Sequence, residues 1–262
     1  MEPNTLNRCN LPPWVIASRH FDESPRDIEL QGVRQANRFL FERLDGIAEA
    51  EHRARCFDDW MAVRFQLHAW RSQSTEGARR ALRNSYLRFL RGWGMDASSV
   101  EGAVLKGWVE SRLGIPPAWH HGPITSSDSP AWERYLRDRT RGHAYTSAIH
   151  DQLDLVYTWT QYELGRRRPG ERQLTLWRGQ HDAELGVVER LGRYEAVLRL
   201  NNISSFTDDP ERAWEFGTTV WEARLATARV FYAGGLLPAS VLRGEGEWLV
   251  IGGEVRARRR RA

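Results

Sequence analysis

Leu174-Thr-Leu-Trp177 follows closely on Gly165-Arg-Arg-Arg-Pro-Gly170, and between the two the chain changes character. Downstream, Ala196-Val-Leu-Arg-Leu200, Val220-Trp-Glu-Ala-Arg-Leu225, Val230-Phe-Tyr232 and Glu247-Trp-Leu-Val-Ile251 are short, apolar and rich in β-branched and aromatic residues. That is the composition of strands. Between them Asp209–Phe216 reads as one short helix. Upstream the apolar period is that of helices. Helices first and strands later, with no βαβ alternation, predict an α+β fold and exclude a Rossmann sheet. Residues 1–170 make a mainly helical region and residues 171–262 a strand-rich core, packed together as one compact domain.

Working back from the boundary, a long helical pattern runs from Ala131 to about Leu164, broken near Gly142. Before it, His120–Pro130 is a loop rich in Gly, Ser, Pro and Asp. Val104, Trp108 and Leu113 predict a helix closed by Gly114 and Pro116-Pro117. Ala78, Leu82, Tyr86, Phe89 and Leu90 predict another, ended by Gly92–Gly94. Cys56, Trp60, Val63, Leu67 and Trp70 share one helical face. Ile28, Val33, Ala36, Phe39, Leu40 and Leu44 share the next, with Ser24 and Pro25 as its start.

The 262 residues are long enough to bury a core, and 41% apolar residues with 12 tryptophans mark a packed chain. Trp60, Trp70, Trp93, Trp108 and Trp159 fall on helical apolar faces and are expected in that core. No apolar run approaches the roughly 18 residues of a membrane span. The N-terminus lacks the pattern of a secretory signal, so a soluble cytoplasmic protein is expected. Cys9 and Cys56 suit neither a disulfide framework nor a zinc site. Lys106 is the only lysine among 38 basic residues, and the net charge is a modest +4. No basic face interleaved with aromatics is visible, which argues against a nucleic-acid binder. The tail Arg256-Ala-Arg-Arg-Arg-Arg261 reads as a solvated, frayed end. His120-His121 reads as solvated, with no carboxylate or cysteine at metal spacing, so no metal is expected.

Three segments of the strand-rich part stand out together. They are Leu176-Trp-Arg-Gly179, Ser204-Ser-Phe-Thr-Asp-Asp-Pro-Glu-Arg-Ala-Trp-Glu-Phe216, and Gly244-Glu-Gly-Glu-Trp-Leu-Val-Ile251. Each alone has a plain reading: a surface arginine before a turn, a capped helix N-terminus, and an exposed acidic loop. Their order, with each on or beside a strand, carries more than any one of them.

The set resembles the Arg-Ser-Glu signature of the ADP-ribosyltransferases related to cholera toxin. Arg178 matches the arginine, Ser205-Phe-Thr207 the Ser-Thr-Ser, and Glu245 and Glu247 the Glu-x-Glu. Ala213 and Phe216 fall where that family's next helix has a small and an aromatic core residue. Phe206 replaces the middle threonine, and Ile203-Ser204 the usual aromatic lead-in. Asn10-Leu-Pro-Pro-Trp-Val-Ile-Ala-Ser18 and Leu30-Gln-Gly-Val-Arg-Gln-Ala-Asn-Arg-Phe-Leu-Phe41 resemble the opening of one branch, the dinitrogenase reductase ADP-ribosyltransferases. That similarity extends along the whole chain.

The resemblance implies a helical lobe packed on a mixed β-sheet, with NAD⁺ consumed as a co-substrate. Cleaving nicotinamide from ribose develops positive charge at the anomeric carbon, which a carboxylate stabilises. Glu247 takes that role, Ser205 holds it, and Arg178 binds the pyrophosphate. Gly179, Phe206 and Thr207 complete the NAD⁺ pocket, with Trp177 a further aromatic for its lining, and Phe206 reads equally well as a core residue. Glu245 points to an arginine acceptor, since a protonated guanidinium needs a base beside it. The implied acceptor is the iron protein of nitrogenase, with a PII signalling protein as regulator. An NAD⁺ glycohydrolase and an inactive partner-binding module are the alternatives.

Overall fold

The computed structural model describes residues 7–67, 85–144, 148–238 and 246–260. Trp70, Ala78, Leu82, Gly244, Glu245 and Arg261, on which expectations above fall, lie outside the described residues. The helices before the sheet are α1 (Pro13–Ile16), α2 (Val33–Ala36), α3 (Arg38–Asp45), α4 (Ala50–Arg64), α5 (Tyr86–Met95), α6 (Val100–Leu113), α7 (Pro130–His143) and α8 (Ile149–Arg167). The strands are β1 (Gln173–Gln180), β2 (Val187–Arg190), β3 (Glu195–Arg199), β4 (Ile203–Thr207), β5 (Thr219–Ala226), β6 (Val230–Ala233), β7 (Glu247–Ile251) and β8 (Glu254–Arg259). A short helix α9 (Pro210–Ala213) joins β4 to β5 and runs into a 3₁₀ turn over Trp214–Phe216. The α+β reading holds, with helices first and strands after.

Serines start the helices that matter for the site. The hydroxyls of Ser85, Ser99 and Ser129 accept from the backbone N–H of Leu87, Gly102 and Trp132, satisfying donors at the starts of α5, α6 and α7. Helix α6 is buried along nearly its whole length, because it packs on α5 and α7 and reaches β4. Two boundaries differ from the periodicity. Residues 25–30 are extended, since Leu30 pairs with Cys9 in a β-bridge, and the helix starts only at Val33. Helix α5 runs through Gly92 and Gly94 to Met95. Gly92 serves close packing there: a Cβ on it would meet the Glu101 side chain of α6 at 2.5 Å.

The sheet has the order β2-β3-β8-β5-β1-β4-β7-β6. Every pairing between described strands is antiparallel, so the expected mixed sheet is corrected. Among the described residues no helical crossover links neighbouring strands as parallel pairing would require. The basic tail is corrected too. Most of it is β8, paired on one side with β3 and on the other with β5. Val255 and Ala257 point into the core and Arg256 and Arg258 away from it, the period of a strand.

One hydrophobic core spans both regions. The Trp108 ring of α6 lies 4.8 Å from that of Phe231 on β6, and the Tyr157 hydroxyl of α8 donates to Ala228 O at 2.9 Å. Trp93, Trp108 and Trp159 are buried as expected, and Trp60 is half-buried. Both cysteines are free, and burial pushes both thiols up, away from nucleophilic use. Among the described residues no helix is long and apolar enough to cross a membrane.

Arg229 staples the N-terminal segment to the sheet. It is fully buried, with Nε 2.8 Å from Asp22 Oδ1, Nη1 2.7 Å from Gly252 O and Nη2 2.9 Å from Ser18 O. Removing one partner of such a pair strands the other charge in the interior. Arg229→Met is expected to cost about 3–5 kcal/mol of stability in urea unfolding. A loss below about 1 kcal/mol would show that the pair is not a staple.

Candidate active site

The site forms where the sheet opens. β1 is in register with β5 along its full length, from Gln173 opposite Ala226 to Gln180 opposite Thr219. On its other edge it meets β4 at a single register pair, Trp177 with Thr207. Beyond that pair the strands diverge, and Arg178 reaches across. Its Nη1 donates to the carbonyl of Ser205 at 2.8 Å. Among the described residues no carboxylate pairs with Arg178, and the rest of its donor fork has no partner. Burial accordingly pulls its guanidinium below its ordinary pKa.

Ser205 lies on β4 opposite Leu249, and Glu247 opens β7 opposite Thr207. That register sets the two side chains diagonally on one face of the sheet. The Ser205 hydroxyl donates to Glu247 Oε1 at 2.6 Å and accepts from the indole N–H of Trp93 at 2.9 Å. Tyr232 on β6 is buried nearby, its hydroxyl without a partner among the described residues. Burial first, and then the Glu247 charge, raise its phenol pKa.

Arg178, Ser205 and Glu247 are thus brought together as their order in the sequence suggests. Other residues of the expected set behave differently. The space a side chain would need at Gly179 is filled by the carbonyl of Ala213, 1.9 Å from where a Cβ would stand. Glycine is required there so that α9 can lie on β1. The Phe206 ring, expected in the nicotinamide pocket, is 4% exposed and belongs to the main core, on the opposite face of β4 from Ser205. Thr207 is buried and its hydroxyl accepts from Asp209 N–H at 3.1 Å, while Asp209 caps α9. The capped-helix reading of that stretch therefore holds. Phe216, matched to a core aromatic, is 55% exposed, because a 3₁₀ turn replaces the end of the helix and rotates its ring outward. Trp177 points to the face opposite Arg178 and donates to Glu222 Oε2 at 3.1 Å.

Sequence reading missed Trp93 and Tyr232 altogether, since both carry only the signal of apolar core positions. It also misjudged His120. That imidazole is fully buried, with Nε2 3.2 Å from Asp138 Oδ2 and Nδ1 3.2 Å from Lys106 Nζ. His121 Nε2 is 4.0 Å from the same carboxylate. Asp138 stands on α7 and Lys106 on α6, so only packing makes the cluster. Lys106 Nζ also donates to Trp119 O at 2.9 Å. With the ammonium donating to Nδ1, His120 carries its proton on Nε2 and donates it to Asp138. The ligand atoms of His120, His121 and Asp138 all lie within 4.8 Å of one another, so the expectation that no carboxylate stands at metal spacing from these histidines is corrected.

The family model for dinitrogenase reductase ADP-ribosyltransferase matches residues 6–259. An enzyme named NAD(+)--dinitrogen-reductase ADP-D-ribosyltransferase from Rhodospirillum rubrum is 39% identical over 256 residues, covering 96% of this chain and 93% of the relative. No solved structure matches the chain. The class is therefore that of the ADP-ribosyltransferases, enzymes that take ADP-ribose from NAD⁺. Within it, the chain belongs to the dinitrogenase reductase ADP-ribosyltransferase family.

The buried histidines make stability depend on pH. Burial first, and then Lys106, pull His120 to about 4, and burial with Arg112 pulls His150 to about 3. An unfolded histidine titrates near 6.5. A folded pKa below the unfolded one means that the contribution is complete above pH 6.5 and is lost as the pH falls toward 4. Between pH 7 and pH 5 the urea-unfolding free energy is expected to drop, with about 1–2 kcal/mol from His120. The drop should be smaller by that amount in His120→Gln, and equal slopes in the two proteins would refute the assignment.

Proposed function

We propose that this chain transfers ADP-ribose from NAD⁺ to an arginine side chain of dinitrogenase reductase, the iron protein of nitrogenase. The observation that carries the reading is Arg178, a half-buried guanidinium that donates to the carbonyl of Ser205 and pairs with no carboxylate among the described residues, together with Glu247, held by the hydroxyl of that same serine. A half-buried cation with no carboxylate partner among the described residues suits an anion brought by the ligand. The planar fork of Arg178 fits the NAD⁺ pyrophosphate, with the backbone of Gly179, Phe206 and Thr207 alongside.

Glu247 then stands where positive charge develops as the nicotinamide–ribose bond breaks. Its carboxylate stabilises that charge and accepts from the ribose 2′-hydroxyl. Ser205 contributes by orientation. Glu245 takes the proton of the incoming guanidinium as the new C–N bond forms. Regulation by a PII signalling protein belongs to the same reading and rests on the resemblance alone, while the cytoplasmic location is an expectation drawn from the sequence pattern. The division into a helical region to residue 170 and a catalytic core after it belongs to the reading too, and rests on the change from helical to strand period after Gly170.

The decisive experiment supplies labelled NAD⁺ and purified nitrogenase iron protein and locates the acceptor by mass spectrometry. Glu247→Gln should lower both transfer and nicotinamide release by about two orders of magnitude or more. Glu245→Gln should abolish transfer while slow nicotinamide release from NAD⁺ alone persists. Parallel loss of both activities in Glu245→Gln would move that residue from acceptor chemistry to NAD⁺ binding.

Arg178 is tested by calorimetry of NAD⁺ binding. Arg178→Ala should weaken affinity, and Arg178→Lys should restore it only in part, because the bidentate geometry is lost. Unchanged affinity in a folded Arg178→Ala protein would contradict the phosphate role.

A further inference from the structure

Ser205 is central to the proposed chemistry, and the group that orients it comes from the helical region. Trp93 lies in the last turn of α5, 112 residues before Ser205 in the chain. Its side chain is 3% exposed and its Nε1 lies 2.9 Å from Ser205 Oγ, which in turn lies 2.6 Å from Glu247 Oε1. An indole N–H can only donate, whereas a serine hydroxyl holds one proton that rotates to suit its neighbours. With Trp93 donating to Ser205 Oγ, the remaining proton of that oxygen is directed at Glu247. The hydrogen bonds therefore run one way, from indole to hydroxyl to carboxylate.

The helix carrying Trp93 is rigidly seated. Ser85 caps its start, and Tyr86, Leu87, Phe89 and Leu90 are buried. Its last turn also walls the site: a side chain at Gly94 would begin 3.5 Å from Glu247 Oε2. A tryptophan serving the core alone can leave its N–H without an acceptor, as Trp60, Trp159 and Trp221 do among the described residues. The N–H of Trp93 instead meets a hydroxyl that itself donates to the proposed catalytic carboxylate.

We propose that Trp93 is a positioning residue for the transferase reaction: its indole N–H fixes Ser205 as a donor to Glu247 and so holds the carboxylate in its working orientation. The inference rests on the reading of Glu247 given above. It makes the helical region a contributor to the chemistry as well as to the packing. The indole touches neither NAD⁺ nor the acceptor in this scheme. Its effect falls on turnover through Ser205, and NAD⁺ binding through Arg178 is spared.

The test is a double-mutant cycle on the full chain, reading nicotinamide release from NAD⁺ and transfer to the iron protein. Trp93→Phe, Ser205→Ala, the double variant and Glu247→Gln are compared. Trp93→Phe is expected to lower kcat about tenfold, the effect of one lost hydrogen bond in a charged network. KM for NAD⁺ should stay within about twofold. In the Ser205→Ala background, Trp93→Phe should add no further loss, because the group it acts through is gone. Additive losses, or a Trp93→Phe enzyme of undiminished kcat, would overturn the proposal. Near-normal turnover in Glu247→Gln would instead overturn the catalytic reading, so the two failures are separable. Phenylalanine leaves a gap in the core, so benzothienylalanine at position 93 is measured in parallel. It has the shape of tryptophan with sulfur in place of N–H, and full activity with it would refute the role of the hydrogen bond.

Discussion

β1 and β4 meet at one register pair, and most of what distinguishes this molecule follows from the gap beyond it. A strand edge that loses its partner leaves backbone groups to be satisfied by other means. Arg178 supplies one of them by donating to Ser205 O across the opening. The same divergence leaves room at the ends of β1 and β4 and brings Glu247, at the start of β7, to its rim. The sheet thus fixes the position of each side chain to within a residue. A register shift of one place on β4 would turn Ser205 away and present Phe206 in its stead.

Three buried arginines and the half-buried Arg178 fall into two kinds, and the contrast gives the site its meaning. Arg53 pairs with Glu163, Arg112 with Asp154 and Arg229 with Asp22, each at 2.8 Å. Those three hold helix to helix or the N-terminal segment to the sheet. Arg178 has only a carbonyl among the described residues and sits below its ordinary pKa because of burial. Keeping a desolvated cation without a counter-charge costs stability, and the rest of the fold offsets that cost. The expense is intelligible where a ligand carries the missing negative charge.

Helices and sheet are energetically inseparable here. Trp108 packs on Phe231, Tyr157 donates to Ala228 O, and Trp93 donates to Ser205. The cluster of Lys106, His120 and Asp138 belongs to the helical side and joins α6, the loop before α7, and α7 itself. Burial there draws Lys106 down to about 7, so both nitrogen groups of that contact change charge at higher acidity than they would in water. The helical region therefore carries its own titrating core beside the wall it lends to the proposed active site.

Local pattern determined a good deal by itself. The change of period after Gly170 was enough for helices followed by strands, because side-chain alternation is a property of consecutive residues. Arg178, Ser205 and Glu247 could be singled out because the family signature is written in short contiguous segments. The tail was misread for a local reason as well: in Arg256-Ala-Arg-Arg-Arg-Arg261 the charge run conceals the alternation of Val255 and Ala257, and only flanking strands β3 and β5 show that those positions are buried. Phe216 was placed in the core by analogy and lies outside it, since the turn that rotates it is decided by how α9 sits on Gly179. Trp93 and His120 are the clearest cases of what tertiary structure alone decided. Each is an ordinary residue of its own segment, and its role comes from a partner far along the chain, Ser205 for one and Lys106 with Asp138 for the other. Contacts of that kind are set by how helices and sheet pack, and no spacing along the sequence encodes them.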